Sequence, residues 1–472
     1  MQNFDAIVIG AGQAGPSLAV RLAKSGRKTA IIERKLIGGT CVNVGCVPSK
    51  TLIASARAAH VARRGSEFGV VIGSEIQMDM RRVKARKDAV VSQSSQGLTE
   101  WLGSTPNLEV INGHARFESA HSVRVNQSVL QAREIFINVG GRPSVPGITG
   151  LADVNYFTSS SIMDVDFLPE HLIIIGGSYI GLEFAQMYRR FGSRVSVVEM
   201  GPSLIGREDE AVSLAVQKIL EGEGISIYLN ATCLKVARHS DGVSVTASCK
   251  PQPIELLGSH LLLAVGREPN TQDLGLDLAS VNTDARGFIT VDDQLRTNVE
   301  GIWAMGDANG RGAFTHTAWN DFEIVAANLL DNDSRRVSDR ISAYALFIDP
   351  PLARVGLTER EVLTSGRAAL VGRMKMARVG RARERGETQG LMSVLVDASS
   401  KKILGASLLG IEADEVVHCI LDVMAANAPY TVIQRAMHIH PTVSELIPTL
   451  LGDLKPLAPV ATQSNKKNST PE

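Results

Sequence analysis

Two cysteines, Cys41 and Cys46, stand in the run Gly38-Gly39-Thr40-Cys41-Val42-Asn43-Val44-Gly45-Cys46-Val47-Pro48-Ser49-Lys50, a few residues after a glycine-rich turn. Thiols at this spacing can make and break a disulfide, and the neighbouring turn suggests a redox cofactor for that disulfide to lie against. Residues five apart on an ideal helix are roughly 8 Å apart, whereas a disulfide joins Cα atoms about 4.4–6.8 Å apart. The pair therefore requires an irregular turn. Gly45 supplies permissive torsions, and Pro48 suits a first helical turn, where its missing N–H is not needed. Zinc is a weak reading of the pair, because the remaining cysteines, Cys233, Cys249 and Cys419, are scattered singly. Those three are expected to be small buried hydrophobes in a reducing compartment.

The elements that must position the pair begin at the N-terminus. Residues 5–10 read as a buried strand, Gly10-Ala11-Gly12-Gln13-Ala14-Gly15 as a turn, 16–25 as a helix, and 29–32 as a second strand running into Glu33. This βαβ unit places a carboxylate 18 positions after its last glycine, close to the ~20 expected for a ribose ligand. Gly10, Gly12 and Gly15 let backbone N–H groups approach a pyrophosphate at the helix N-terminus, with Glu33 accepting from ribose hydroxyls. A second unit repeats the logic: a strand over 172–175, the turn Gly176-Gly177-Ser178-Tyr179-Ile180-Gly181, a helix to about 191, a strand over 195–198 and then Glu199. Two dinucleotide sites follow. Ser178 replaces the middle glycine and offers a hydroxyl to phosphate. Glu199 would accept from a 2′-hydroxyl and repel a 2′-phosphate, which favours NADH, with NADPH the second nucleotide to consider. Arg207, nearby in sequence, is read either as softening that preference or, no less readily, as a solvated loop cation.

Strands over 135–140 and 261–266 end at Gly140 and Gly266 and read as exits from the two nucleotide-binding regions, with boundaries near 147 and 270. A further apolar strand over 301–307 ends at Asp307. Thr315-His316-Thr317 then opens a helix running to about 330, whose N-terminus could stabilise negative charge on a reduced cofactor. From about 337 the character changes. Strands over 392–396 and 403–409 precede a segment over 413–426 with helical apolar spacing at Val416, Val417, Ile420, Leu421 and Met424. This is expected to be a separate α+β domain, followed by a polar disordered tail.

Bulk numbers set limits. The chain has 472 residues, enough for about three domains. Lys plus Arg and Asp plus Glu balance at 49 each, so no global field draws the chain to nucleic acid or to an anionic membrane. The apolar start over 6–9 lacks a basic leader and runs straight into the glycine turn, so it is read as a strand rather than a signal peptide. No apolar stretch of about 18 residues appears, and a soluble, cytoplasmic protein is expected.

With these residues in hand, the chain resembles the class I pyridine nucleotide-disulfide oxidoreductases, which include dihydrolipoamide dehydrogenase, glutathione reductase and mercuric reductase. The resemblance spans about 4–455 and is carried most specifically by the run at 38–50. It implies an α/β fold with two Rossmann-like dinucleotide-binding domains and a C-terminal α+β dimerisation domain. The FAD-binding domain would comprise 1–147 and 271–336, the NAD(P)-binding domain 148–270, the interface domain 337–455 and the tail 456–472. It further implies that Gly10, Gly12, Gly15, Glu33, Thr40, Lys50, Gly140, Asp307 and Thr315 serve FAD. Gly176, Gly181, Glu199 and Gly266 would serve the nicotinamide nucleotide. Lys50 and Glu183 match the family's flavin-facing ion pair. His440-Pro441-Thr442-Val443-Ser444-Glu445 matches its C-terminal motif, in which the histidine comes from the partner subunit of a homodimer and Glu445 orients it.

On that resemblance Cys46 is the flavin-side thiolate, Cys41 attacks the acceptor, and His440 moves the proton, as imidazole is suited to do near neutrality. His418 and His438 are read as ordinary histidines. The last cysteine is Cys419 and no metal-binding domain precedes residue 4, so mercuric ion is not the expected acceptor. The segments 314–321 and 380–390 look more like a mercuric-reductase-like branch of poorly defined flavoproteins, which also includes enzymes acting in reactive-chlorine and copper stress. The arginines of 380–390 are read as surface charge or dimer contacts before substrate ligands. The leading expectation is an NAD(P)H-dependent reductase of a disulfide or metal ion. Dihydrolipoamide dehydrogenase is the alternative enzyme, and a flavin-binding redox sensor the alternative of another class.

Overall fold

A computed structural model describes residues 2–240, 242–248 and 252–458. Two compact units emerge: one formed by the chain up to Gly206 together with Gln217–Arg340, the other by Arg207–Val216 together with the chain from Ile341. The first unit spans the expected FAD-binding range and the expected NAD(P)-binding range except 207–216, and it also takes 337–340 of the expected interface domain.

The first unit is built on two parallel sheets. Ala6–Ile9, Thr29–Glu33, Leu108–Asn112, Glu134–Ile137 and Ile302–Ala304 form one, with Ala6–Ile9 at its centre. Strand alternation sorts its side chains onto two faces. Ile7, Ile9, Ile32 and Ile135 pack towards Phe117, Val123 and Leu130 of an antiparallel meander. Ala6, Val8, Ile31 and Phe136 pack towards Leu18 and Leu22 of the helix Ala14–Lys24 and towards Leu102. Sheet strands covered on both faces read as continuous apolar runs, which is why 6–9 and 29–32 were legible as strands.

The second sheet has the same plan. His171–Ile175 pairs with Arg194–Val198 on one side and His260–Leu263 on the other, with Ser226–Tyr228 and Phe157–Thr158 at its edges. A three-stranded meander again covers one face, through Val236, Val243 and Val245. Each meander returns the chain to its sheet and then to a short strand. Those two strands, Gly141–Pro143 and Arg267–Pro269, pair with each other.

Several elements differ from expectation. The exit strands end at Ile137 and Leu263 rather than at the glycines, because Asn138 and Ala264 turn their carbonyls against Gly10 and Gly176. The helix Thr315–Ala326 stops short of 330 and passes into a π-helical turn, Ala327–Asp331, closed by Asn332 at φ +54°. Cys233 is exposed at a register shift in the strand Thr232–His239, with φ +52°, so it is not the buried hydrophobe expected. Cys419 is half-buried and donates to Val416 O, and Cys249 lies outside the described residues.

The second unit carries a six-stranded antiparallel sheet, ordered Ala343–Leu346, Leu352–Gly356, Ile403–Leu409, Leu391–Asp397, Ala369–Lys375, Lys455–Pro456. Its core joins Val394, Ala406 and Leu408 to Val416, Val417 and Ile420 of the helix Ala413–Ala425. Arg354, 2% exposed, is held by Glu208 Oε2 at 2.6 Å and Asp209 Oδ2 at 2.5 Å, an ion cluster that fastens Arg207–Val216 into this unit. The expected tail begins too early, since Pro456 pairs with Leu370 and Leu457 N–H donates to Ala369 O at 2.8 Å; from 459 it lies outside the described residues. Among the described residues no helix is long and apolar enough to cross a membrane.

Candidate active site

The two glycine-rich turns are the same backbone solution used twice. Gly10 and Gly176 have φ +103° and +116°, a region that favours glycine. A Cβ on Gly10 would lie 2.3 Å from Asn138 O, and one on Gly176 2.4 Å from Ala264 O. Gly15 and Gly181 each lie under the first glycine of their turn, where a Cβ would stand 2.1 and 2.0 Å from its carbonyl oxygen. The helices Ala14–Lys24 and Tyr179–Phe191 follow at once, and no side chain caps either N-terminus, the arrangement that suits a phosphate. Gly12 is freer, with Asn138 Nδ2 at 3.4 Å from its Cβ position. Ser178 makes no capping hydrogen bond with its side chain.

Both expected ribose carboxylates fold back over their turns in the same way. Glu33 accepts from the N–H groups of Ala11 at 2.9 Å and Lys35 at 2.8 Å. Glu199 accepts from those of Gly177 and Gly201, both at 2.6 Å. Gly140 and Gly266, at φ +63° and +119°, have open space where a Cβ would be.

The cysteines sit where one helix stops and another starts. Cys41 belongs to Gly39–Val44 and Cys46 opens Cys46–Arg63. Between them Gly45 takes φ −141°, ψ −119° and packs so closely that a Cβ would lie 2.7 Å from Thr40 O. Gly39 in turn packs on Gly12, and Gly38 N–H donates to Ala11 O at 2.9 Å, which seats the cysteine segment, including Thr40, on the first glycine turn. Cys41 is half-buried and Cys46 exposed.

The electrostatics of the pair are unequal. Cys46 Sγ lies 3.1 Å from Thr315 Oγ1. A hydrogen bond from Cys41 lowers the Cys46 thiol most, with Thr315 and the Lys50 charge adding to it. Desolvation and Glu183 oppose them, and the result is about 6. Cys41 is pushed far up, by its hydrogen bond to Cys46 and by desolvation. Lys50 Nζ is 2.7 Å from Glu183 Oε2, joining the cysteine helix to the helix of the second glycine turn.

Asp307 stands in the short turn Gly306–Asn309 and pairs with Arg267, Oδ2 to Nε 3.2 Å. Sequence reasoning missed the group that pins this turn. Asp321, 2% exposed, accepts from Gly306 N–H at 2.8 Å and Asn309 Nδ2 at 2.9 Å, and pairs with Arg340. Burial pushes its carboxyl up, against the pull of Arg340. The available signal was an acid beside Phe322, Ile324 and Val325 on a buried helix face. Asn138 was also missed; its side chain donates to Gly10 O at 3.1 Å.

In the second unit His440 Nδ1 lies 2.9 Å from Glu445 Oε2, the ring 80% exposed and the carboxylate 15%. Met437 and Ile439 beside it are 98% and 78% exposed. Among the described residues no three His, Cys, Asp or Glu side chains converge as a metal cage.

Comparison with known proteins agrees with this geometry. Residues 4–321 match the pyridine nucleotide-disulphide oxidoreductase model, and 342–451 match that family's dimerisation domain. The probable pyridine nucleotide-disulfide oxidoreductase RclA of Escherichia coli K12 is 36% identical over 465 residues, covering 96% of this chain and 100% of RclA. A mercuric reductase of Streptomyces lividans is 32% identical, covering 94% and 95%. The solved Cu(II) complex of the HOCl-induced flavoprotein disulfide reductase RclA from Escherichia coli superposes with a TM-score of 0.87 at 34% identity, covering 96% of this chain and 99% of that one. The chain thus belongs to the pyridine nucleotide-disulphide oxidoreductases, enzymes that use FAD and NAD(P)H, and it carries their dimerisation domain.

Proposed function

We propose that Cys41 and Cys46 form the redox pair through which this flavoenzyme reduces an external disulfide, with NADH the preferred reductant. The observation that carries this reading is the seating of the pair at a break between two helices that packs on the first glycine turn, with Cys46 Sγ 3.1 Å from Thr315 Oγ1; the lowering of the Cys46 thiol and the raising of the Cys41 thiol agree with it. FAD, when bound, supplies the step the protein lacks, taking a hydride from NADH and passing two electrons to the sulfur pair. Its adenosine half fits the turn from Gly10 to Gly15 with Glu33, where glycines leave the backbone bare. The nicotinamide nucleotide fits Gly176, Gly181 and Glu199 in the same manner, and a carboxylate at that place disfavours a 2′-phosphate.

The protein's own chemistry then balances. Cys41 sulfur attacks one sulfur of the acceptor disulfide. Its proton passes to the partner subunit's His440, oriented by Glu445, and from there to the departing thiolate. The Cys46 thiolate next attacks Cys41 sulfur, closing the Cys41–Cys46 bond and releasing the second thiolate, which takes a proton from solvent. The acceptor has gained two electrons and the pair has lost them. Lys50 stabilises the charge on Cys46, and Glu183 holds Lys50. The exposed Met437 and Ile439 beside His440 suit burial against a second copy.

A second reading has Cu(II) as acceptor, supported by the copper complex of the similar RclA structure. Anaerobic NADH titration, followed by lipoamide, other disulfides and Cu(II), separates the readings. A long-wavelength thiolate-to-flavin band after two electrons supports the redox pair, and the acceptor giving turnover selects between disulfide and metal. Flavin bleaching without the band, and no turnover with any acceptor, would favour a redox sensor. A higher kcat/KM for NADPH would overturn the assignment of Glu199.

A further inference from the structure

Thr315 occupies an unusual place for a hydroxyl at the start of a helix. The first turn of Thr315–Ala326 is already fixed by Thr317, whose Oγ1 accepts from Phe314 N–H at 3.1 Å and donates to Phe314 O at 2.7 Å. Phe314 is flanked by aromatic rings, edge-on to Tyr179 at 6.3 Å and stacked on His316 at 5.3 Å. Further along, Asp321 anchors the same helix to Gly306 and Arg340. The backbone at 315 is therefore held without help from its own side chain, and the hydroxyl is directed at Cys46 Sγ, 3.1 Å away. Other nearby hydroxyls are spent on the backbone: Ser49 donates to Cys46 O and Thr51 to Val47 O.

Resting on the redox-pair reading, we propose that Thr315 is a positioning residue of the reduced enzyme. Its hydroxyl donates to Cys46 sulfur and fixes the negative charge on that sulfur, so that Cys41 retains its proton until the acceptor and its base arrive. A hydrogen bond to a charged acceptor is about twice as strong as one between neutral groups. Three groups therefore converge on Cys46 charge: the Cys41 thiol and the Thr315 hydroxyl as donors, and Lys50 as a cation. Glu183, facing the site from its own helix, is the opposing charge. The downward pull of Thr315 on Cys46 is in the direction this role requires. Thr315 also pulls the Cys41 thiol down, but Cys46 and desolvation outweigh that pull and Cys41 stays raised.

The test uses holoenzyme of wild type, Thr315→Val, Thr315→Ala and Thr315→Ser. Each is reduced anaerobically by two electrons, and the long-wavelength thiolate band is titrated against pH. In Thr315→Val and Thr315→Ala the half-point should rise by about one pH unit, while Thr315→Ser stays within about 0.3 unit of wild type. FAD content and melting temperature measured on all four exclude a packing effect, and the alanine variant serves if valine prevents folding. Half-points in Thr315→Val and Thr315→Ala that match wild type overturn the role of Thr315 while leaving the redox pair intact. Absence of the band from wild type at every pH overturns the redox-pair reading and this role with it.

Discussion

Lys50 and Glu183 meet at 2.7 Å, Nζ to Oε2, across two helices that begin at the cysteine segment and at the second glycine turn. One helix starts at Cys46 and the other just after Gly177-Ser178. The contact thus ties the sulfur pair to the element that would present the nicotinamide nucleotide. Glu183→Gln removes the countercharge and Lys50→Met removes the cation. Each is expected to slow flavin reduction by NADH about ten- to a hundred-fold, the range for losing one charge-assisted hydrogen bond. Stopped-flow measurement should also find the double variant little worse than Lys50→Met alone, because the residues act as one pair.

Removing Cys41 tests the asymmetry of the thiols. Its hydrogen bond is the largest influence lowering Cys46, so Cys41→Ala should shift the thiolate half-point upward from about 6. FAD should remain bound and disulfide reduction should cease. Retention of wild-type turnover would remove Cys41 from the mechanism.

The glycine turns predict two separable losses. In Gly15→Ala the new methyl meets Gly10 O, and in Gly181→Ala it meets Gly176 O. Gly15→Ala should purify with little FAD, read as a lowered ratio of flavin to protein absorbance. Gly181→Ala should keep FAD and raise KM for NADH at least ten-fold, the equivalent of about 1.4 kcal/mol.

Stability should fall on the acid side of neutrality through His171. Its ring is buried between Leu257 O at 2.6 Å and Ser196 Oγ at 2.9 Å, and desolvation lowers its pKa below the ordinary 6.5. The folded state therefore stays neutral where the unfolded chain takes up a proton, and stability is lost as pH falls below about 6.5. His171→Gln should flatten the fall in melting temperature between about pH 7 and 5.5. An unchanged slope would assign the effect to other groups.

The glycine turns, the carboxylates and the cysteine run were legible because each depends on local chemistry: a turn that excludes Cβ, a strand end, a break between helices. The helix Met80–Gly103 was not. Only Met80, Val83, Lys87 and Leu102 of its 24 residues are buried, so it presents no apolar stripe to read. Asp321 and Asn138 matter through what distant residues bring to them, Arg340 and Gly10 respectively. Equally hidden was the membership of Arg207–Val216 in the second unit, which rests on Arg354 reaching Glu208 and Asp209 across a long separation in sequence. His440 and Glu445 were legible as a motif, and they do meet in the structure.

FAD and a nicotinamide nucleotide share one chemical half, adenosine diphosphate, and the repeated turns would grip only that half. A turn that cannot tell its two ligands apart leaves selectivity to whatever follows it. The repeat holds from Gly10 and Gly176 through Lys35 and Gly201, where the N–H groups bind the carboxylates. It fails at the cysteines, for the same register puts Arg207 and Val212 where the first copy has Cys41 and Cys46. On the proposed assignment, sorting of the two carriers would fall to that divergent stretch and to Ser178, which stands where the first turn has Gly12. Free adenine nucleotides, which lack the parts that stretch would read, should compete at both turns.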